Sequence, residues 1–321
     1  MKFESKNAKN LHEQRKSTYT LVDQYHKRYI DQTTGKLFKK FSEERKCPVC
    51  NSDKRVFILD KSASTYYKCE DCTMVYLNPI MNKNTTIEYY TNLNTGQGDI
   101  VSGESQFYTE IYSLGLDSIE KNSNKKGKIL DIGCSTGFFL DLAKKRGWET
   151  TGIELGSEEA SIAEKKGHRI IKEVIEELEI SEKYDAIVMW DVLEHIPNGI
   201  EQLELISRHL NKGGILFFQV PNSDSLAAKI LRYSCRMFDG IEHTNLYNPK
   251  SLEKLINNSN FSVLNISSVI SEIAVINNFL DYLDPYFGTS QYSDKVLNFI
   301  DEKTIHDNKI GYKLQVTLVR K

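Results

Sequence analysis

From Lys128 onward the chain alternates short apolar runs with amphipathic stretches, and this alternation constrains the fold more than any other feature. KILDI (128–132) reads as a buried strand, GFFLDLAKKR as a helix ending at Gly147, and TTGIEL (150–155) as a second strand. The next helix, SEEASIAEKK, has Ser157 at the N-cap, Glu158 and Glu159 in its first turn, and Lys165 and Lys166 in its last. Gly167 follows, so each end suits the helix dipole or its closing geometry. HRIIK, YDAIVMW and GGILFFQV continue the strands, and IEQLELISRHL supplies a helix between the last two. Such alternation predicts a parallel sheet covered on both faces. After Pro221 the pattern loosens into a helix (SLEKLINNSN), a strand (FSVLNISSVI) and a final strand, GYKLQVTLVR.

The remainder divides into three. Residues 1–45 are polar and basic with scattered tyrosines, and read as a helical arm or a partly disordered terminus. Residues 46–80 hold four of the six cysteines. Residues 81–126 read as linker and lid helices. In them Phe107, Ile111, Leu114 and Ile119 recur roughly as a helical face, and KNSNKKG (121–127) is a polar turn. Residues 127–321 form the α/β domain.

Of 321 residues, 40% are hydrophobic, and the net charge is -2 with a pI near 6.4. A dedicated nucleic-acid binder would be clearly basic. No run of about 18 apolar residues predicts a membrane span. MKFESKNAKN lacks the apolar core of a signal peptide. Both suggest the cytoplasm, where thiols stay reduced and paired cysteines imply metal or catalysis rather than disulfides.

CPVC (47–50) and CEDC (69–72) form two C-x2-C pairs separated by 18 residues, inside the zinc-ribbon window. RVFILD and STYYKC read as a hairpin joining the knuckles. Cys47, Cys50, Cys69 and Cys72 would then close a tetrahedral thiolate site around a structural Zn2+ with no open position. Two disulfides or a redox pair are the alternatives. Cys134 and Cys235 read as small buried residues.

In ILDIGCSTGFFL, Gly133 and Gly137 permit a tight turn and close approach of a ligand, and the helix that begins there presents unpaired amides. Asp131 lies at the carboxyl end of its strand, where open α/β sheets bind ligands, and an acid there suits a cationic or amino-bearing molecule. Glu154, 23 residues beyond Asp131, ends the next strand and can accept both hydroxyls of a ribose. A nicotinamide dinucleotide would also fit a glycine turn followed by an acid. G-x-S-x-G also occurs at hydrolase elbows, but no hydrolase order of acid and histidine follows Ser135.

DIGCSTG resembles motif I of class I methyltransferases that use S-adenosylmethionine (SAM), with Ser135 in place of the middle glycine. TGIE resembles their second-strand acidic motif, YDAIVMWDVLEHIPN the fourth-strand motif and LNKGGILFFQVPN the fifth. The resemblance spans about Lys128 to Asn222 and continues more loosely to the end. It implies a Rossmann-like seven-stranded sheet with an antiparallel last strand, and SAM as cofactor. Asp131 and the turn Gly133, Cys134, Ser135 and Gly137, flanked by Phe138, would hold the methionine end. Glu154, flanked by Leu155, would hold the ribose, and the adenine pocket would lie near Val174 and Ile175. Asp191 would face the methionine moiety or serve as a helix N-cap. Tyr89, Tyr90, Phe107 and Tyr108 fall where such proteins place a lid, or else pack the linker helix.

Two histidines follow ligand-edge strands. His195 lies in DVLEHIP, as a base or as a lining residue. His243 lies in IEHTNLYNPKSL, a segment similar to one in sugar methyltransferases where an E-H pair adjoins the acceptor. Glu242 would orient His243 or lie in solvent. That group includes C-methyltransferases of nucleotide-linked deoxysugars. They too carry an N-terminal zinc module, but with different cysteine spacing and a further C-terminal domain. The resemblance implies methyl transfer, O- or C-linked, to a sugar or nucleotide-sugar, with a homodimer as a further expectation. A zinc-ribbon RNA methyltransferase and an inactive adaptor of the same fold are the alternatives. The other histidines, at 12, 26, 168, 209 and 306, show no constellation.

Overall fold

The computed structural model describes residues 16–92, 105–123, 125–178, 182–283, 285–286, 297 and 299–321. Residues 1–15 of the expected arm, with His12, and 93–104 of the expected linker lie outside them. The chain divides into two compact units. One comprises residues 1–81, 220–252 and 267–314, and the other residues 82–219, 253–266 and 315–321.

In the first unit, helix Lys16–His26 precedes a ribbon of β1 (Ile30–Asp31) and β2 (Lys36–Leu37). β3 (Ser42–Glu43) pairs with β7 (Ile80–Met81). β4 (Arg55–Lys61) and β5 (Ser64–Cys69) form the expected hairpin, in register from Arg55↔Cys69 to Lys61↔Ser64 with an irregularity between Phe57 and Leu59. β6 (Val75–Asn78) and β13 (Asn245–Leu246) complete a four-stranded sheet, β13-β6-β5-β4. Arg45 holds this sheet's far edge: its guanidinium donates to the carbonyls of Leu77 and Thr244 and to Asn245 Oδ1.

The second unit is built on β8 (Lys128–Ile132), β9 (Glu149–Ile153), β10 (Arg169–Ile171), β11 (Tyr184–Trp190) and β12 (Leu210–Pro221), with β14 (Phe261–Val269) and β15 (Lys313–Arg320). Among the described residues the order is β10-β9-β8-β11-β12-β15-β14, parallel from β10 to β12, with the last strand antiparallel. This is the Rossmann-like methyltransferase fold that the motifs imply. On one face Ile129, Ala186, Val188, Ile215 and Phe217 pack with Leu140, Ala143 and Leu116 of the covering helices, and on the other Leu130, Ile187, Met189, Leu216 and Phe218 are buried as well. Gly115 is required on helix Ser105–Asn122: a Cβ there would come within 2.5 Å of the Trp190 ring.

Helix Ser157–Lys165 differs from expectation at its start. Ser157 is the first helical residue, and Gly156 is the cap with no side-chain bond. The amide of Gly156 already donates to Glu154 Oε1 at 2.8 Å, and a Cβ at Gly156 would crowd the Glu159 and Glu154 carboxylates. No described helix is long and apolar enough to cross a membrane.

Candidate functional site

β8 lies between β9 and β11, so the crossovers leave it in opposite directions and a crevice opens at its carboxyl end. Asp131 faces Gly152 on one side and Val188 on the other. The turn after it is left-handed at three alternate residues: Gly133 (φ 75°), Ser135 (φ 48°) and Gly137 (φ 77°). Gly133 must lack a Cβ, which would lie 2.7 Å from Val192 Cγ2. Ser135 is strained there, because left-handed backbone costs a residue with a Cβ roughly 1–2 kcal/mol. Its amide donates to Glu154 Oε2 at 2.8 Å, which holds the conformation.

Most of the turn's amides are bonded within the protein, that of Gly137 to the Cys134 carbonyl. Gly133 and Cys134 both donate to the Ile153 carbonyl, which ties the turn to β9. Gly137 caps helix Phe138–Lys145 without a side-chain acceptor for its first amides. Cys134 is buried with its sulfur against Gly152, where a Cβ would collide with it. Phe138 stacks near Tyr112, and Leu155 is half-buried beside Glu154. Val174 caps the short turn Ile175–Glu177, where Ile175 is buried and Glu176 and Glu177 are exposed.

The carboxylates carry the electrostatics. Asp131 is 2% exposed, and its Oδ1 has no hydrogen-bond partner among the described residues. Burial, and then the charge of Glu154, push its pKa well above the usual carboxylate range. Glu154 is likewise raised by burial, against the amides of Gly156 and Ser135, which pull the other way. The buried Ser135 Oγ also lacks a partner. Two adjacent acids and an unpartnered hydroxyl at a strand end fit a ligand that brings a positive charge and donors.

Asp191 follows β11 in left-handed backbone (φ 56°). Gln219 Nε2 donates to Asp191 Oδ2 at 3.1 Å, and Gln315 Nε2 donates to Gln219 Oε1 at 3.1 Å. Both glutamines are buried, so three strands hold this acid. His195 ends the turn Leu193–His195, and its Nδ1 lies 2.8 Å from the Tyr90 hydroxyl. Tyr90 packs edge-on to both Tyr89 and His195. Phe107 and Tyr108 pack with each other, and Tyr108 with Tyr112.

In the first unit, His243 Nδ1 lies 2.8 Å from the Met237 carbonyl and 2.9 Å from Asp239 Oδ2. Both partners are acceptors, so Nδ1 carries the proton and Nε2 has the lone pair of a base. The Asp239 carboxylate also accepts the amides of Ile241, Glu242 and His243. Burial alone would raise Asp239, but the charge of His243 and these donors hold it well below the usual range. Glu242 Oε1 meets His26 Nε2 at 3.1 Å. Asp239, Gln219, Gln315 and His26 were not legible as site residues. Asp239 alone had a local signal, an acid four residues before a histidine.

The four cysteines converge. Cys47 Sγ lies 3.4 Å from Cys72 Sγ and Cys50 Sγ 3.5 Å from Cys69 Sγ, with all four within 4.8 Å of one another. A tetrahedral site with Zn–S of about 2.3 Å has S···S edges of about 3.8 Å. The knuckles repeat one geometry. Asn51 and Thr73, each just after a second cysteine, are left-handed at φ 58° and 65° and donate to the carbonyls of Cys47 and Cys69. A hydrogen bond from Cys72 pulls the Cys47 thiol down, while burial pushes Cys50 up and the bond to Cys47 pushes Cys72 up, so the four thiols share protons unevenly.

Among the constellations the sequence did not show is a buried one in the second unit. His168 bridges Thr150 Oγ1 (2.9 Å) and Asp141 Oδ1 (3.0 Å), pinning helix Phe138–Lys145 to β9.

Residues 107–266 match the family model described as a methyltransferase domain. The ubiquinone biosynthesis O-methyltransferase of Hahella chejuensis is 30% identical over 131 residues, 37% of this chain and 55% of that protein. Its namesake in Chromobacterium violaceum is 30% identical over 129 residues, with the same coverage. The chain therefore spans about half the length of the curated relatives it matches. Among solved structures, magnesium protoporphyrin IX methyltransferase of Synechocystis is similar with TM-score 0.47 and 15% identity, over 75% of this chain and all of that one.

Proposed function

We propose, for a chain that carries a methyltransferase domain over residues 107–266, that it transfers a methyl group from SAM to a small-molecule acceptor, a sugar or nucleotide-sugar. The observation that carries the reading is Asp131: a buried acid at the switch point with an unpartnered oxygen, beside a second acid at the tip of the next strand.

Asp131 would accept from the amino group of SAM. The turn through Gly133, Cys134, Ser135 and Gly137, with Phe138, would enclose the methionine end. Glu154 would accept from the ribose hydroxyls with Leu155 alongside, and Asp191, held by Gln219, would face the methionine moiety. SAM supplies an electrophilic methyl on a sulfonium, and the S–C electron pair stays on sulfur when the methyl leaves. The protein's part is alignment, which removes much of the barrier to in-line displacement. His243 Nε2 would take the acceptor proton, with Asp239 keeping the proton on Nδ1. His195, backed by Tyr90, is the second candidate for that proton. The E-H resemblance supports a sugar acceptor, and the relatives' names support O-methylation of a small molecule.

The four sulfurs would hold a structural zinc, whose binding energy would add to the stability of so small a module. Calorimetry with S-adenosylhomocysteine, followed by a nucleotide-sugar screen for its release, tests the reading. Absence of heat with that compound and with SAM would refute it.

A further inference from the structure

We propose that the β4–β5 hairpin of the four-cysteine module is the scaffold for His243, and that Tyr66 is the positioning residue through which it acts. This rests on the reading of His243 as the base.

Two acceptors of its own loop orient the His243 ring, the Met237 carbonyl at 2.8 Å and Asp239 Oδ2 at 2.9 Å from Nδ1. These bonds set the ring within the loop. A separate set of bonds sets the loop against the sheet β13-β6-β5-β4, and Tyr66 makes the central two. It lies on β5 and is 0% exposed. Its Oη donates to the His243 carbonyl at 3.0 Å and accepts the amide of Gly240 at 3.3 Å, so one hydroxyl ties both ends of the segment 240–243. Its ring meets Phe238 of the same loop edge-on, with centroids 5.1 Å apart. Burial, and then the charge of Asp239, push the Tyr66 phenol well above its ordinary range, so the hydroxyl keeps the proton that it donates.

The turn of the hairpin completes the fit. Ser62, left-handed at φ 49°, donates from Oγ to the Asp239 carbonyl at 2.8 Å. Gly240 is left-handed at φ 85°, and a Cβ there would collide with the Lys61 carbonyl, so the close approach of hairpin and loop requires glycine. Beyond His243, the Thr244 carbonyl accepts the Leu77 amide at 2.9 Å and the Arg45 guanidinium. The carbonyls of Asp239, His243 and Thr244 are thus each held by a residue between 45 and 77. The pairs Cys47/Cys50 and Cys69/Cys72 bracket the hairpin that carries Ser62 and Tyr66. A tyrosine that merely filled the core would need no hydroxyl. Here its removal leaves a buried amide and a carbonyl to find other partners, and the segment carrying the base shifts.

The test is Tyr66→Phe in the full chain, with transfer read as S-adenosylhomocysteine released from SAM and a panel of nucleotide-sugars. The variant lowers kcat by roughly tenfold to a hundredfold, since a misplacement of about 1 Å costs up to that much. Its Kd for S-adenosylhomocysteine stays within about twofold in calorimetry, because neither Tyr66 bond involves a candidate cofactor residue. In the His243→Ala background Tyr66→Phe has no further effect, because residues that act as a unit are not additive. An equal loss in both backgrounds shows a general effect on the fold and overturns the proposal. Unimpaired transfer by a folded Tyr66→Phe protein also overturns it. Without any acceptor, the Gly240 amide exchanges roughly tenfold faster in Tyr66→Phe by NMR, and an unchanged rate overturns the hold. If Tyr66→Phe does not fold, Ser62→Ala decides: a lower kcat supports the scaffold, and an unchanged one overturns it. Full transfer by His243→Ala, with Tyr66 intact, refutes the base assignment instead.

Discussion

The main-chain amide of Ser135 donates to the Glu154 carboxylate at 2.8 Å. This bond joins the two motifs that define the candidate cofactor crevice. It keeps a residue with a side chain in left-handed backbone, while the other carboxylate oxygen accepts the amide of Gly156. Glu154→Ala should weaken S-adenosylhomocysteine binding by tenfold or more, about 1.4 kcal/mol, in calorimetry. Ser135→Gly removes the conformational strain and should keep affinity within a few-fold while raising the melting temperature by a few degrees.

Asp131 should make the ligand-free protein lose stability as pH rises. Its folded pKa is raised by burial and by Glu154, above the ordinary 3.8, so the folded state holds the proton more tightly. The stabilising contribution is complete below the ordinary value and is lost as pH climbs through the raised one. Asp131→Asn should flatten that slope in urea titrations between pH 4 and 8, and reduce SAM affinity at least tenfold. A mutant that binds SAM normally would remove this acid from the site.

Glu272 offers a second pH test. It is buried, and burial pushes its pKa up to about 8 against a smaller opposing effect of Lys313. Its contribution is present below the ordinary 4.5 and lost as pH rises through about 8. Glu272→Gln should therefore lose less melting temperature than the parent protein between pH 7 and 9. Equal losses would contradict a titrating Glu272.

Metal removal should unfold the cysteine module. Mercurial titration with a zinc dye should release about one zinc per chain, and the treated protein should melt lower and lose β4–β5 amide protection in hydrogen exchange. A Cys69→Ser protein with full zinc content and unchanged melting would show that these sulfurs do not form the site.

Asp239→Asn should lower kcat by roughly tenfold to a thousandfold with little change in cofactor affinity, because the His243 tautomer would no longer be held. Steady-state assays on whichever acceptor the screen identifies would show it. A comparable loss of cofactor affinity would instead point to collapse of the loop.

The strands β8 and β11 and the β4–β5 hairpin follow the expected boundaries closely, because apolar runs and paired cysteines are local signals. The cap of helix Ser157–Lys165 was misplaced by one residue, since a neighbouring acid, Glu154, already engages Gly156. His26 and His168 looked isolated because their acids are remote: Glu242 lies 216 positions from His26, and Asp141 27 from His168. Gln219 and Gln315 read as ordinary strand residues, although together they hold Asp191.

By itself the sequence determined the alternating architecture, the glycine turn, the second-strand acid and the four converging sulfurs, because each depends on residues close together or on fixed spacing. Tertiary structure alone decided which acid faces which histidine, why Ser135 tolerates left-handed backbone, and which oxygen of Asp131 lacks a partner. Those properties depend on distance and burial between strands and loops that meet only after folding, where low dielectric makes a few ångströms decide protonation.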